Sequence, residues 1–404
     1  MTIIRDLTLK INHYLRSEEI ILIIGARQSG KTTVLHQLEG FLREAKEVSF
    51  FLNLEDSEYL TLLNQSPKNI FQIFPFDLTQ KNFLFVDEIQ YLDNPSNFLK
   101  YLYDEYAGKI KIIASGSSAF YLDKKFKESL AGRKRIFQLY TLSFKEFLRF
   151  KDETPLAEKD FIGLTLSEKE KISLYYQEYV VYGGYPKVVL APKEEKENLL
   201  SDLAYSYIKK DIFESGIRQD EVFYRLFKIL ASQTGNLVNT AELAATLGVS
   251  KTAIDNYLYT MQKSFHLALI RPFFQNIRKE LTKMPKVYFL DLGLRNFFCS
   301  NFNLFETRDD KGPLLENAVF RQLLEKYPLE EIKFWRTTAK QEVDFIAGEN
   351  SAFEVKSQAK NVRRKDYQTF LENYPKIKLS LAVFQETEKK SSPFPVYEVW
   401  QLPI

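Results

Sequence analysis

The chain has 404 residues, which is too long for one ordinary domain and predicts two to four. Hydrophobic residues make up 45% and charged residues 27%, as expected for packed cores under a soluble surface, and a net charge of +3 does not by itself indicate a nucleic-acid binder. Cys299 is the only cysteine, which excludes an intrachain disulfide and cysteine-clustered zinc or iron–sulfur sites. No apolar run approaches the ~18 residues of a membrane helix, and the N-terminus lacks the apolar core of a signal peptide, so we expect a cytoplasmic protein.

A glycine-rich motif follows the first long apolar segment. Residues 20–24 predict a buried strand, and the residues after Lys31 predict a helix. The segment between them matches G-x-x-x-x-G-K-[ST], in the strand–loop–helix context that a phosphate-binding loop requires. Lys31 is expected to reach the β- and γ-phosphates of ATP, and the Thr32 hydroxyl is expected to hold Mg²⁺. We expect the nucleotide to bind at Gly25, Ala26, Arg27, Gln28, Ser29, Gly30, Lys31, Thr32 and Thr33.

Two acidic residues end a second apolar segment. Residues 82–86 predict a strand, and Asp87 and Glu88 follow it directly. In P-loop hydrolases an acid at this position contacts Mg²⁺, and we expect Asp87 to do so. Glu88 is predicted to accept a proton from the attacking water, so the sequence predicts hydrolysis as well as binding of ATP.

A third apolar segment, residues 109–114, runs into a serine-rich turn. Ligands of parallel sheets bind at the C-terminal ends of the strands, so a hydroxyl group here is expected beside the γ-phosphate. We take Ser117 as the polar sensor of that phosphate, with Ser115 and Ser118 as alternatives.

The order of these motifs resembles the AAA+ ATPases. The segments GARQSGKT, FLFVDEIQYL, IIASGSS and SLAGRKRIFQLYTLSFKEFL are similar to one branch of that family, found in bacteria and archaea. The resemblance covers the first 150 residues and implies a parallel-sheet ATPase domain. It also implies that Arg133 senses or completes a γ-phosphate site, which leaves open the site of a neighbouring subunit and therefore a homo-oligomer.

Three further regions follow the expected ATPase domain of residues 1–150. Residues 151–220 have a helical pattern and stand where AAA+ proteins carry a helical lid. In residues 221–295, Thr240 is expected to cap one helix and Ser250 the next, with Gly248 as the turn between them. Two strand-like segments joined by a polar loop come next, and together these elements predict a winged helix. Its local excess of basic residues predicts contacts with DNA phosphates, although winged helices also bind proteins: Lys263, Arg271, Arg278, Lys279, Lys283 and Lys286.

The fourth region, residues 296–404, contains a predicted hairpin with a concentration of charge. If Ala347 faces Ser351 across a three-residue connection, Asp344 lies opposite Glu354. Two facing carboxylates are unfavourable unless a positive charge lies between them. Lys356 emerges on the same face as Glu354, and a divalent cation would supply the rest of the charge.

This hairpin and the helix before it resemble the PD-(D/E)xK nuclease superfamily. The resemblance implies that Asp344 and Glu354 coordinate Mg²⁺, that Glu316 completes the metal site, and that Lys356 orients the attacking water or steadies the phosphate charge. The proline that names the motif is absent, since Val343 precedes Asp344. AAA+ ATPases of this branch often carry such a domain, and its function is generally unassigned.

The sequence therefore predicts an α/β protein: a P-loop AAA+ parallel-sheet domain with a helical lid, a winged helix and a C-terminal restriction-endonuclease-like α/β domain. The main expectation is Mg²⁺-dependent ATP hydrolysis coupled to DNA engagement. Two alternatives stay open. One is a nucleotide-controlled switch that binds proteins and carries a degenerate nuclease fold, and the other is an ATP-gated, metal-dependent DNase.

Overall fold

A computed structural model describes residues 3–116, 130–217, 219–274, 277–339, 341–358, 362–384 and 392–402. The chain forms two compact units. The first comprises Met1–Thr141 with Lys263–Phe265, and the second comprises Leu142–Gln262 with His266–Ile404. Apart from Lys263–Phe265, the three regions expected after residue 150 lie within one compact unit. None of the helices in the described ranges is long and apolar enough to span a membrane.

The first unit is built on a parallel sheet, as its alternating pattern predicts. Within the described residues the sheet has five strands in the order β2-β3-β4-β1-β5. The strands are β1 (Ile20–Gly25), β2 (Val48–Asn53), β3 (Asn82–Asp87), β4 (Ile110–Gly116) and β5 (Lys134–Leu139). The helices described in this unit are α1 (Asp6–Asn12), α2 (Lys31–Glu44), α3 (Ser57–Gln65), α4 (Ile70–Ile73) and α5 (Pro95–Tyr106).

Burial of the central strands determines where ligands can reach this sheet. β1, β3 and β4 are buried along their whole length, because helices cover the sheet. The inward face of α2 packs Val34, Leu35 and Leu38 into the same core as strand residues Ile23 and Phe85. Since the strands are parallel, the C-terminal ends of β1, β3 and β4 meet at one edge, and only the loops there can present polar groups.

The second unit begins with helices and contains two sheets. Its helices up to residue 263 are α6 (Phe144–Phe150), α7 (Thr154–Ala157), α8 (Leu166–Tyr182), α9 (Pro186–Leu190), α10 (Lys193–Ser215), α11 (Asp220–Ser232), α12 (Thr240–Leu247) and α13 (Lys251–Lys263). An antiparallel pair follows, formed by β6 (Leu267–Ile270) and β7 (Lys286–Phe289). The remaining helices are α14 (Ile277–Thr282), α15 (Leu292–Phe298), α16 (Lys311–Lys326) and α17 (Gln368–Asn373).

Local details of residues 239–286 differ from the sequence prediction in three respects. The cap of α12 is Asn239 and not Thr240, because the Asn239 side chain accepts hydrogen bonds from the backbone N–H groups of Ala241 and Glu242. The cap of α13 is Ser250 as expected, with a 3.1 Å bond from the Ala253 N–H. The predicted polar loop between β6 and β7 contains the short helix α14. Lys286, predicted to contact DNA, is instead buried, with 1% of its surface exposed.

The C-terminal sheet is mixed. Its five strands in the described residues run in the order β12-β11-β10-β9-β8, and they are β8 (Ile332–Arg336), β9 (Glu342–Ala347), β10 (Ser351–Lys356), β11 (Lys378–Val383) and β12 (Val396–Glu398). β8, β9 and β10 are antiparallel, whereas β11 and β12 continue parallel to β10. The predicted hairpin register is confirmed, since Ala347 pairs with Ser351 and Phe345 with Phe353.

Candidate functional site

The loop between β1 and α2 has the backbone geometry of an anion-binding turn. Gly30 caps α2 with a φ of +99°, a left-handed value that favours glycine, and Gln28 has a φ of +56°. Gly25 is needed for a different reason. A Cβ there would lie 2.1 Å from the carbonyl oxygen of Leu139, because β1 and β5 approach closely at this point. The loop therefore needs Gly30 for its left-handed backbone angle and Gly25 for the close approach of β5.

Lys31 lies folded onto the loop that precedes it. Its ammonium donates hydrogen bonds to the backbone carbonyl oxygens of Gly25 at 3.1 Å and Ala26 at 2.9 Å, and the residue is buried. Thr32 and Thr33, in contrast, are exposed at the first turn of α2. A helix N-terminus, a buried ammonium and exposed hydroxyls together make a site suited to a phosphate chain.

The Thr32 hydroxyl joins the loop to the end of β3. Its Oγ1 donates a 2.7 Å hydrogen bond to Oδ2 of Asp87, a buried carboxylate. The other carboxylate oxygen of Asp87 accepts a bond from the Ser115 hydroxyl of β4. A hydroxyl and a carboxylate this close are oxygen donors of the kind that Mg²⁺ prefers, so the pair fits the predicted metal.

Glu88 stands in a strained backbone conformation next to this pair. Its φ is +56°, the left-handed region that non-glycine residues rarely adopt, and its N–H donates a 3.2 Å hydrogen bond to the Ser115 hydroxyl. One of its carboxylate oxygens accepts a bond from the Gln90 side chain. Such strain concentrates at functional sites.

The serine chosen as γ-phosphate sensor lies outside the described residues. Ser117 and its alternative Ser118 both fall in the segment 117–129, which the structure leaves undescribed. Ser115 is described, and it contacts Asp87 and the Glu88 backbone as given above. Its position at the end of a buried strand beside two acids makes it an organiser of the acidic pair, a role that the sequence did not indicate.

Arg133 lies at the wrong edge of the sheet for this chain's own phosphate loop. It directly precedes β5, where Lys134 pairs with Ile20 at the start of β1, whereas the loop follows Gly25 at the end of β1. Five residue steps separate these edges, or roughly 16 Å at about 3.3 Å per step. The Arg133 guanidinium bonds Asp104 of α5 at 2.9 Å. This position disfavours contact between Arg133 and the chain's own γ-phosphate, and a role at a γ-phosphate site, including that of a neighbouring subunit, stays a prediction.

Arg5 contacts the nucleotide loop from outside it, and the sequence did not predict this contact. It caps the N-terminus of α1, is 3% exposed, and donates to the carbonyl oxygens of Ser29 at 2.6 Å and Tyr140 at 2.9 Å. These bonds tie the phosphate loop to the end of β5. A lone arginine near the N-terminus gives no sequence signal of such a contact, because the contact spans 24 and 135 residues.

In the second unit, the predicted nuclease-like residues converge as expected. Glu316 of α16 and Asp344 of β9 both approach one ammonium group, and the Asp344 carboxylate accepts a 2.8 Å hydrogen bond from the Val355 N–H of β10. Glu354 forms a 2.5 Å ion pair with Lys356. Asp344 and Glu354 are both buried. We call these four residues, with Glu342 and Lys286, the carboxylate cluster.

The ammonium group at the centre of the carboxylate cluster belongs to Lys286 of β7. Its Nζ lies 2.9 Å from Oε1 of Glu316 and 3.9 Å from Oδ1 of Asp344, and it is also paired with Glu342. Two residues along the strand, the Tyr288 hydroxyl bonds the same Glu316 oxygen. Lys286 was predicted to lie on an exposed wing, and its burial follows from this ring of carboxylates, which offsets the cost of removing its charge from water.

Burial and mutual repulsion perturb the acids of the cluster. Burial first, and then the nearby Asp344 charge, raise the pKa of Glu316 to about 7 and that of Glu354 to about 8. Burial also raises the pKa of Asp344. For Lys286, burial alone would lower the pKa, but the surrounding carboxylates, Glu316 foremost, raise it above its usual range. One carboxylate oxygen of Glu354 is buried without a hydrogen-bond partner among the described residues.

The carboxylate cluster does not fit a bound divalent cation in this arrangement. Lys286 stands between Glu316, Glu342 and Asp344, and it pairs with two of the three predicted metal ligands, Glu316 and Asp344. In the part of the chain that the structure describes, no three His, Cys, Asp or Glu side chains are arranged to hold a metal ion. Of the predicted Mg²⁺ ligands, Glu316 and Asp344 are therefore paired with Lys286, and Glu354 is paired with Lys356.

Three family models match successive parts of the chain. Residues 17–148 match an AAA domain, residues 173–304 match a domain of unknown function (DUF8612), and residues 311–404 match another domain of unknown function (DUF4143). The first match and the geometry of the phosphate loop support a nucleotide-binding domain of the AAA type in the first unit. The other two matches carry no functional description, so the winged-helix and nuclease-like assignments stay predictions.

Relatives with similar sequences extend over most of the chain. A Haemophilus influenzae protein described as uncharacterized is 27% identical and covers 91% of this chain and 90% of its own. The Methanocaldococcus jannaschii protein MJ1544, also described as uncharacterized, is 29% identical and covers 86% of this chain and 75% of its own. Both alignments span more than the AAA match, so the two units occur together in these relatives.

Solved structures give only weak likenesses. PCH-2 of C. elegans matches with a TM-score of 0.35 and 16% identity, over 50% of this chain and 64% of that chain, which is less than two thirds of it. Cdc6p of Pyrobaculum aerophilum matches with a TM-score of 0.30 and 12% identity, over 73% of this chain and 91% of that chain. These scores are too low to support a conclusion about this protein.

Proposed function

We propose that the protein hydrolyses ATP at the loop between β1 and α2 and couples the reaction to DNA engagement by its second unit. The observation that carries the ATPase proposal is the 2.7 Å hydrogen bond between Thr32 and Asp87. It joins the hydroxyl of the phosphate loop to the acid at the end of β3, and a hydroxyl and an acid at these positions hold Mg²⁺ in P-loop hydrolases. When bound, that ion supplies positive charge beside the β- and γ-phosphates.

The residues of the loop divide the work of binding. Lys31 is proposed to leave the carbonyl oxygens of Gly25 and Ala26 and to donate to the β- and γ-phosphates instead, as charge-assisted bonds to phosphate are stronger than bonds to neutral carbonyls. The N–H groups at the start of α2 point at the phosphate chain. Arg5 is proposed to position the loop through Ser29 without touching the nucleotide.

Glu88 is the proposed general base. Its carboxylate accepts the proton of the water whose oxygen attacks the γ-phosphorus, while the bond to the ADP oxygen breaks and ADP departs. Gln90 holds one oxygen of that carboxylate by a hydrogen bond, and the attacking water is proposed to donate to the other oxygen. We propose Ser117 as the sensor of the γ-phosphate and Arg133 as a group that acts on the site of a neighbouring subunit.

DNA engagement is proposed for the surface around α14 and the start of β7. The helices α11, α12 and α13 followed by the β6–β7 pair have the order of elements of a winged helix. Arg278 and Lys283 are exposed beside that pair, and basic side chains in such a place contact phosphates. Withdrawal of Lys286 from this surface reduces its charge, so the remaining contacts are expected to be few and sensitive to salt.

The test is the steady-state ATPase rate of the full chain, measured without DNA and with single-stranded, duplex and branched DNA at two salt concentrations. The Glu88→Gln variant provides the blank, with turnover expected to fall at least ~100-fold while ATP binding is retained. Stimulation by DNA that fades with salt, and that is lost in Arg278→Ala/Lys283→Ala but kept in the exposed-lysine control Lys187→Ala/Lys193→Ala, supports the proposal. Undiminished turnover in Glu88→Gln contradicts the assignment of the base, and a rate indifferent to every DNA favours a switch that binds proteins.

A further inference from the structure

The acidic side chains of the carboxylate cluster repel one another, so they can lie together only with positive charge among them. Glu316, Glu342, Asp344 and Glu354 come from one helix and two strands, and Asp344 and Glu354 are buried whereas Glu316 and Glu342 are partly exposed. Carboxylates grouped around one ammonium cannot all be ionised unless cations lie among them. A divalent metal and a buried lysine are two ways to meet this need, and they compete for the same position.

Lys286 holds that position, and its own strand keeps it there. Its side chain is 2% exposed and is paired with three carboxylates. The backbone of β7 is fixed on both sides, because Lys286 pairs with Ile270 of β6 and bridges to Leu237. Tyr288 on the same strand bonds Glu316 as well. The ammonium therefore cannot swing into solvent without breaking several contacts at once.

The cation comes from outside the segment that carries the acids. The C-terminal family match begins at residue 311 and contains all four carboxylates, whereas Lys286 lies within the preceding match, residues 173–304. The cluster is thus assembled from two parts of the second unit, and neither part alone has a balanced charge.

We propose that Lys286 is the resident cation of the carboxylate cluster, so that the cluster is a metal-independent ion-pair hub joining β7 to the C-terminal sheet and not a metal site for cleaving nucleic acid. This inference goes beyond the ATPase proposal and does not depend on it. The ion pairs of this hub fix how β7 packs against the C-terminal sheet, since any other packing would leave buried charges unpaired.

The first experiment is a titration with Mn²⁺. The full chain, freed of nucleotide and metal, is titrated while the electron paramagnetic resonance signal of free Mn²⁺ is followed, and the Asp344→Asn variant is treated in the same way. We expect the two titrations to coincide, because Asp344 is already engaged. One Mn²⁺ bound per wild-type chain and lost in Asp344→Asn overturns the proposal.

The second experiment measures thermal unfolding and separates an ion pair from a general packing role. Lys286→Met keeps the apolar stem and removes the charge, and we expect its Tm to fall by roughly 10 °C. Adding Glu316→Gln is expected to recover at least half of that loss, because fewer charges are then left unpaired. Lys283→Met, an exposed lysine three residues earlier, is the matched control and is expected to leave the Tm unchanged.

Two further results overturn the proposal. One is a Tm of Lys286→Met equal to that of Lys283→Met. The other is a double variant that is no more stable than Lys286→Met, which assigns the lysine a role in packing alone. If Lys286→Met does not fold, the comparison of wild type with Asp344→Asn by Mn²⁺ titration decides the question.

Discussion

Lys31 and Lys286 are both buried among oxygen atoms, and their partners differ. Lys31 donates to two backbone carbonyl oxygens of the phosphate loop. Lys286 is surrounded by three carboxylates of the cluster. Each ammonium is buried. Lys31 lies in the predicted phosphate loop, and Lys286 is paired with Glu316 and Asp344, two of the predicted metal ligands.

The difference in partners determines what each lysine can do. A neutral carbonyl holds an ammonium by a bond that a phosphate can replace with a stronger one, so Lys31 is available to a nucleotide. Carboxylates in a buried place hold an ammonium much more tightly, and removing it would leave their charges uncompensated. The same side chain is therefore a ligand-binding group in one unit and a fixed structural cation in the other.

The largest expected effect tests the exchangeable lysine. Lys31→Ala is expected to weaken ATP binding at least ~100-fold, or about 3 kcal/mol, because the variant loses charge-assisted bonds to two phosphates. Calorimetric titration with ATP and Mg²⁺ measures it, with the exposed Lys10→Ala as control. Unchanged affinity in Lys31→Ala would mean that the loop binds no triphosphate.

A smaller effect is expected for the arginine behind the same loop. Arg5→Met removes the donors to Ser29 and Tyr140 and is expected to weaken ATP binding about tenfold through a less ordered loop. It is also expected to destabilise the first unit by about 2 kcal/mol, because two buried carbonyls lose their partners. Calorimetry and urea unfolding measure the two effects. Lower stability with unchanged affinity would limit Arg5 to a structural role.

The smallest expected effect is a pH dependence of the fixed cluster. The folded-state pKa values of Glu316, about 7, and Glu354, about 8, lie above the ordinary 4.5, so the folded state binds more protons than the unfolded state between these values. Stability from this source is present below about pH 4.5 and is lost as pH rises toward 8. Urea unfolding from pH 5 to pH 8.5 measures it.

The matched variants for this pH dependence are Glu316→Gln and the exposed Glu330→Gln. Glu316→Gln is expected to flatten the slope, whereas Glu330→Gln is expected to retain the wild-type slope. An identical slope in wild type and Glu316→Gln would mean that Glu316 is ionised throughout, in conflict with the burial that raises its pKa.

Local sequence patterns predicted much of both sites. The apolar strands, the position of the phosphate loop and the pairing of Ala347 with Ser351 follow from periodicity, glycine positions and connection length, and the structure confirms them. Helix caps were predicted to within one residue, since Asn239 and Thr240 compete for the same N–H groups. These features depend on neighbours close in the chain, which is why the sequence alone determined them.

Tertiary structure decided the features that depend on distant partners. Arg5 reaches the phosphate loop, Arg133 lies at the opposite edge of the sheet, and Lys286 occupies the carboxylate cluster instead of an exposed wing. The sequence could show that each of these residues is basic but not which oxygen atoms surround it. The free energy of a buried charge depends on those oxygens and on the loss of water, and only the folded chain brings them together.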